Sequence, residues 1–324
     1  VTLASQVNLS VARFGGLFLR QCLDRRASAD RDCFVKLTDI AIRAAPLTFV
    51  FLWSTGFISA KYGLPYAGPL TFLFVRMGLV VLVLAAIVIV MRVPLPGPRD
   101  AWHSLVAGFL VQTLYLGGVF VALSQGVPAG ISALIPGLQP ILTATLAGRF
   151  LGERVRAVQW AGLALGLVGV LLVLNDRDVA LVGTALGWVA SVISLLGITL
   201  GTLYQKRYCG AVDWRSGNLV QFAGSAVIFA VACYALETRS IDWTIQFMLA
   251  LGWSVIVLSV LTIALMYWLI RRVPASRVAS LFYLVPAVTA VIAWLMFGET
   301  LNALAIAGMV LCAGGVFLVN YRRG

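Results

Sequence analysis

Residues 70–91, LTFLFVRMGLVVLVLAAIVIVM, hold a single charge, Arg76, in a run long enough to cross a bilayer as a helix. A soluble domain has no interior that can take up many such runs, and this chain repeats the pattern along its length. Across the sequence 61% of residues are hydrophobic and 11% are charged, against roughly 45–50% and about 25% in soluble domains. A transmembrane barrel needs short alternating strands, whereas the runs here are continuous. The chain is therefore read as an all-α integral membrane protein.

The apolar runs predict spans near 46–62, 70–91, 102–124, 129–150, 157–174, 181–204, 217–236, 247–270, 274–297 and 301–320. Short turns rich in Gly, Pro and charge separate them, such as GLPYAGP and RVPLPGPRD, leaving no room for a soluble domain. Lys and Arg then sort by side: 20 of the 24 fall with the N-terminus, and Lys61, Arg177 and Arg239 fall opposite, with Arg76 inside a span. Cytoplasmic loops carry the excess of basic residues, so ten spans with both termini in the cytoplasm are expected. The net charge of +12 is accounted for by this topology and calls for no nucleic-acid partner. The tail, residues 1–43, has no long apolar core and does not read as a signal peptide. The expectation is that most of it is dispensable, with a native start nearer Thr38, or else that it forms a cytoplasmic amphipathic segment.

The sequence says one thing twice. PAGISALIPGLQPILTATLAGRFLGE begins at Pro128, and PASRVASLFYLVPAVTAVIAWLMFGE begins at Pro274. At an offset of 146 residues, 18 of the 46 positions from 128 to 173 are identical without a gap. Pro140 falls on Pro286, Thr143 on Thr289 and Gly152–Glu153 on Gly298–Glu299. Upstream, at an offset of 145, STGFISAK at 54–61 matches TLGTLYQK at 199–206, and Arg76 meets Gln221. Two repeats of five spans each follow, 44–175 and 181–322. Because five is odd, the second enters the membrane inverted, the arrangement by which secondary transporters open a midplane site to either side.

FLWSTGFISAKYGLPYAGPLTFLFVRM (51–77) and ASRVASLFYLVPAVTAVIAWLMFGETLNALAIAGMVLCAGGVFLV (275–319) resemble the first two and the last two helices of EamA-type members of the drug/metabolite transporter superfamily. The resemblance covers about residues 44–322. It implies ten helices in two EamA repeats, a bacterial inner membrane, export of metabolites or amino acids, and an arginine at the place of Arg76.

An intramembrane charge is by default a functional candidate, and Arg76 is one; the competing reading is that it ties helix ends together through carbonyls. Gly108, Gln112, Tyr115 and Val119 share a helical face, as do Ser132, Pro136, Gln139 and Thr143. Two polar stripes on adjacent spans read either as a cavity wall or as helix–helix glue. Trp53, Trp188, Tyr267 and Tyr283 lie too deep for the interfacial belt and either line an amphipathic pocket or pack the core. Pro136, Pro140 and Pro286 are hinge candidates, since proline frees a carbonyl and lets a helix bend. The candidate substrate site is thus Trp53, Arg76, Gln112, Tyr115, Gln139, Trp188, Tyr267 and Tyr283. Glu153 and Glu299 read as turn carboxylates next to helix N-termini, and His103 as interfacial. Small residues at four-spacing (Gly162/Gly166, Gly183/Gly187, Gly197/Gly201) fit either packing within one chain or a homodimer face, so monomer and homodimer both stay open.

All twelve carboxylates lie in the tail, in loops or at helix ends, so proton antiport through a central carboxylate is not expected. With one His and no deep acid, an intramembrane enzyme lacks its base. The five cysteines are scattered without metal-ligand or disulfide spacing, and no metal or cofactor is expected. The function expected is alternating-access export of small amino-acid-like, zwitterionic or aromatic solutes; the alternative is a channel or membrane scaffold.

Overall fold

A computed structural model describes residues 44–151, 156–174, 183–272, 281–298 and 303–320, and residues Thr48–Gly324 form one compact unit. Helix α1 spans 44–63. It is followed by α2 (Pro69–Val90), α3 (Pro98–Ser124), α4 (Ala129–Leu134 and, after a turn, Gln139–Leu151), α5 (Ala157–Leu174) and α6 (Ala185–Tyr208). Then come α7 (Trp214–Leu236), α8 (Ile245–Trp253 continuing through Ser254–Thr262 to Arg272), α9 (Leu284–Phe297) and α10 (Ala303–Asn320). Among the described residues the only β pairing is one bridge, Ala67 to Ile241. Among the described residues, six helices, α2, α3, α4, α6, α7 and α8, are long and apolar enough to cross a membrane. Large side chains such as Leu82, Leu196, Val231 and Leu249 stay exposed on them, which fits a surface solvated by lipid rather than water. The tail 1–43 and the turn residues Glu153 and Glu299 lie outside the described residues.

Local chemistry sets the helix starts. Pro69 and Pro98 open α2 and α3, where a missing N–H leaves no bond unmade. Thr184, Asp213 and Thr244 cap α6, α7 and α8 by accepting from the backbone N–H of Gly187, Arg215 and Phe247, as N-cap side chains do. These signals extend α3 and α7 by a few residues beyond the apolar runs, which begin at 102 and 217. The ninth span was expected from 274; the described helix is Leu284–Phe297, and 273–280 lie outside the described residues.

Two irregularities recur in both halves. Helix α3 becomes π-helical over Phe109–Leu116 and α8 over Ser254–Thr262, positions related by the offset of the repeat. In α8 the hydroxyls of Ser259 and Thr262 donate to the carbonyls of Ser254 and Val257, five residues back, and so support the wider turn. Helix α4 is broken by a 3-10 turn at Pro136–Leu138, and residues 282–283 form a turn just before α9. The α4 break packs on the 282–283 turn and the first turn of α9: a Cβ on Gly137 would stand 3.9 Å from Phe282 O and 3.0 Å from Pro286 Cγ.

Packing follows the repeat. Helix α2 lies on α7, α4 on α9, α5 on α10 and α3 on α6. Helix α1 meets α8 through Ser59, whose hydroxyl donates to Ala250 O at 2.8 Å and bonds Ser254 Oγ. The main core lies between α2, α3, α7 and α8, around Phe72, Met77, Phe120, Phe222, Phe229 and Phe247. The small-residue pairs serve contacts within the chain. A Cβ on Gly315 would lie 2.5 Å from Gly162 O, and one on Gly201 2.5 Å from Val111 Cγ2; Gly187 is closed in by Val127 and Gln125.

A further polar contact ties the halves together, between α7 and α2. Glu237, at the end of α7, accepts from Leu70 N, Thr71 N and Thr71 Oγ1 at 2.9, 2.8 and 2.6 Å. It thereby satisfies the free N–H groups at the start of α2, where the helix dipole favours a carboxylate. Asp242 N donates to Tyr66 O alongside, at 2.9 Å. Glu237→Ala leaves those donors unpaired and is expected to cost about 2 kcal/mol, lowering the melting temperature of the purified protein by roughly 5 °C. An unchanged melting curve would show that the contact is idle.

Candidate functional site

The π-helical turn of α3 swings Gln112 and Tyr115 inward, and that of α8 does the same for Leu258 and Thr262. Between these turns lies a cavity of about 70 Å³. Trp53, Gly56 and Phe57 of α1, Arg76 of α2, Gln205 of α6, and Asn218 and Gln221 of α7 complete its wall. Arg76 is only 5% exposed, and its Nε and Nη2 both donate to Ser259 Oγ, at 3.3 and 3.1 Å. A buried guanidinium held by one neutral hydroxyl keeps its charge uncompensated, and none of the lining residues is acidic. Around it stand the neutral groups of Gln112, Gln205, Asn218, Gln221 and Thr262.

Trp53 and Tyr115 form one wall together. Their rings stack with centroids 6.2 Å apart, and Trp53 Nε1 donates to the Tyr115 hydroxyl at 3.2 Å. Phe282 meets Trp53 edge-on at 5.0 Å. Behind this wall a smaller pocket, lined by Phe57, Pro136, Gly137, Gln139, Phe282 and Val285 with the same Trp53 and Tyr115, sits at the α4 break. Gln139 is 2% exposed; its Nε2 donates to Thr202 Oγ1 at 3.1 Å, while its Oε1 has no partner. The buried hydroxyls of Ser132, Thr143 and Thr289 also lack partners. A buried acceptor without a donor is costly, so the α4–α9 region holds hydrogen-bonding capacity that the protein itself does not use.

The sequence-derived residues divide accordingly. Trp53, Arg76, Gln112 and Tyr115 line the main cavity, and Gln139 and Pro136 line the pocket beside it. Tyr267 reaches the cavity edge by hydrogen-bonding Gln205. Trp188 is elsewhere: it packs against Ala122, Val127 and Ile131. Tyr283 is fully buried against α5, its ring filling the space that Gly166 leaves and its hydroxyl donating to Leu163 O at 3.4 Å. Pro286 packs on the α4 break, and Pro140 follows it at the start of Gln139–Leu151. His103 stacks on Tyr208 at 4.8 Å and its Nδ1 bonds the Tyr204 hydroxyl at 2.7 Å, away from the cavity. Sequence reasoning did not select Gln205, Asn218, Gln221 or Ser259. The signal for two of them was present, since Asn218 and Gln221 are polar at i and i+3 on an apolar helix and Gln221 falls on Arg76 in the repeat.

Comparison with known proteins agrees with this architecture. The model of the EamA-like transporter family matches twice, over residues 42–175 and 184–321. An uncharacterized inner membrane transporter of Escherichia coli (strain K12), YedA, is 25% identical over 269 residues, covering 83% of this chain and 87% of its own. A probable amino-acid metabolite efflux pump of Salmonella typhimurium is 28% identical over 287 residues, covering 84% and 92%. One solved crystal structure, at 18% identity, superposes with a TM-score of 0.68 over 85% of this chain and 96% of that one, and shows the fold alone. With both halves matched, this multi-pass membrane protein belongs to the EamA-like transporter family.

Proposed function

We propose that the chain is a secondary transporter that exports small amino-acid-like solutes through the cavity at Arg76 by alternating access. In this reading ten helices form two inverted five-helix repeats in a bacterial inner membrane, with both termini cytoplasmic. The observation that carries it is the buried, uncompensated Arg76 inside a cavity walled by helices of both repeats. The pairing of α2 with α7, α4 with α9 and α5 with α10 supports a two-fold relation, as do the π-helical turns repeated at the same offset. The cavity of about 70 Å³ is well below the roughly 300–1,000 Å³ of open ligand pockets, so a solute is admitted only when the helices part. The α4 and α9 breaks, which pack against each other, are where such a movement is easiest. A relative named for amino-acid metabolite efflux fits the same solute class.

The test is counterflow in proteoliposomes loaded with unlabelled amino acids and their derivatives. A carrier accumulates labelled solute transiently against its gradient when the same solute is trapped inside. Labelled solute that only equilibrates, without this overshoot, would mark a channel and defeat the proposal.

A further inference from the structure

The charge on the solute follows from what surrounds Arg76. Among the described residues its hydrogen bonds run to Ser259 alone, so most of the guanidinium fork is left for a ligand. A carboxylate matches that fork with two parallel bonds. Every other polar group around the cavity is neutral. The acidic residues in the described chain are all at helix ends or in turns: Asp100 in the first turn of α3, Asp213 and Glu237 at the two ends of α7, and Asp242 beyond it. A free α-ammonium beside an Arg-bound carboxylate would therefore lie about 5–6 Å from the guanidinium with no counter-charge. Repulsion at that distance, at an effective dielectric of about 20, weakens binding by roughly a hundredfold.

Resting on the transport reading above, we infer that the cavity selects monoanions, amino-acid derivatives whose nitrogen is acylated or absent, over the parent zwitterions. The carboxylate sits on Arg76, and the apolar group lies against Trp53, Phe57 and Tyr115.

Four matched probes separate charge from shape: phenylalanine (zwitterion), N-acetylphenylalanine (monoanion), phenylalaninamide (monocation) and N-acetylphenylalaninamide (neutral). Their affinities for the purified full chain are measured by calorimetry, a readout that does not need transport. N-acetylphenylalanine is expected to bind at least about tenfold more tightly than each of the other three. In Arg76→Gln, N-acetylphenylalanine and N-acetylphenylalaninamide are expected to bind within about threefold of each other, because the charge term is gone. Arg76→Lys keeps the preference at reduced affinity. Phenylalanine binding as tightly as its N-acetyl derivative, or no binding of any probe, overturns the inference. A preference that survives in Arg76→Gln overturns it as well. Counterflow with the wider amino-acid panel is scored separately. Overshoot there with equal affinities in calorimetry would sink the charge selection and leave the transport reading standing, and the opposite pattern would do the reverse.

Discussion

Gly197→Leu is expected to yield no folded protein. A Cβ at this position would stand 2.7 Å from Tyr115 N and 2.8 Å from Leu110 O, both backbone atoms of the π-helical turn of α3. Backbone cannot rotate aside as a side chain can, so α3 and α6 must separate. Forcing volume into a packed interface costs about 1–3 kcal/mol for small additions and more for large ones, and marginal proteins lose their fold at such values. Gly197→Ala should fold with a lowered melting temperature, and because it pushes on Tyr115 it should also slow transport. Gly78 and Gly252 provide the contrast, since an added Cβ there meets nothing within 4 Å. Gly78→Ala is expected to leave the melting temperature unchanged or slightly raised, as helix propensity predicts. The readout is the yield of monodisperse protein on size exclusion with its melting curve. A wild-type curve for Gly197→Leu would mean that the α3–α6 contact is looser than described.

The second large effect is functional. Arg76→Ala is expected to reduce counterflow about a hundredfold or more, matching the loss of a charge-assisted, bidentate contact worth about 3 kcal/mol. Stability should move the other way or stay level. Among the described residues the mutation removes a buried charge that is paired only with Ser259 Oγ, and removing an uncompensated charge relieves a desolvation penalty. Ser259→Ala tests the same pairing from its other side: it strands the guanidinium and should lower the melting temperature while leaving substrate selectivity in place. Gln112→Ala and Gln139→Ala remove neutral hydrogen-bonding groups and are expected to reduce transport by smaller factors, roughly tenfold each. If Arg76→Ala, Gln112→Ala and Gln139→Ala all transport at the wild-type rate with normal expression, the cavity is not the solute path.

Much of the scaffold was legible because hydropathy and repetition are long-range signals. The apolar runs located the starts and ends of most described helices to within a few residues, the start of the ninth span lying outside the described residues, and the offset of about 146 residues exposed the duplication. Finer placement was not legible, for identifiable reasons. The π-helical turns over Phe109–Leu116 and Ser254–Thr262 change the angular step over only two turns, too short a stretch for periodicity to register. The stripe Ser132, Pro136, Gln139, Thr143 was drawn on a continuous α-helix, whereas the 3-10 turn at Pro136–Leu138 breaks that geometry and sends Gln139 to the smaller pocket. Trp188 and Tyr283 share the depth and type of Trp53, and sequence cannot say which faces of their helices meet other helices. Tyr283 went to the core because Gly166, far away in sequence, leaves room for its ring. Ser259 was invisible because a serine in an apolar helix usually bonds its own backbone; here the wide turn presents it to Arg76 as well.

The central claim is that solute passes between two repeats threaded through the membrane in opposite senses. Leu95 and Ser240 occupy corresponding places in the two halves, in the α2–α3 and α7–α8 turns, and both are exposed. In a chain with its five native cysteines replaced, Leu95→Cys and Ser240→Cys are labelled in intact cells with a membrane-impermeant maleimide. The account predicts that the cysteine at 240 reacts at once and that the one at 95 reacts only after the membrane is opened. Labelling of both from the same side would contradict it.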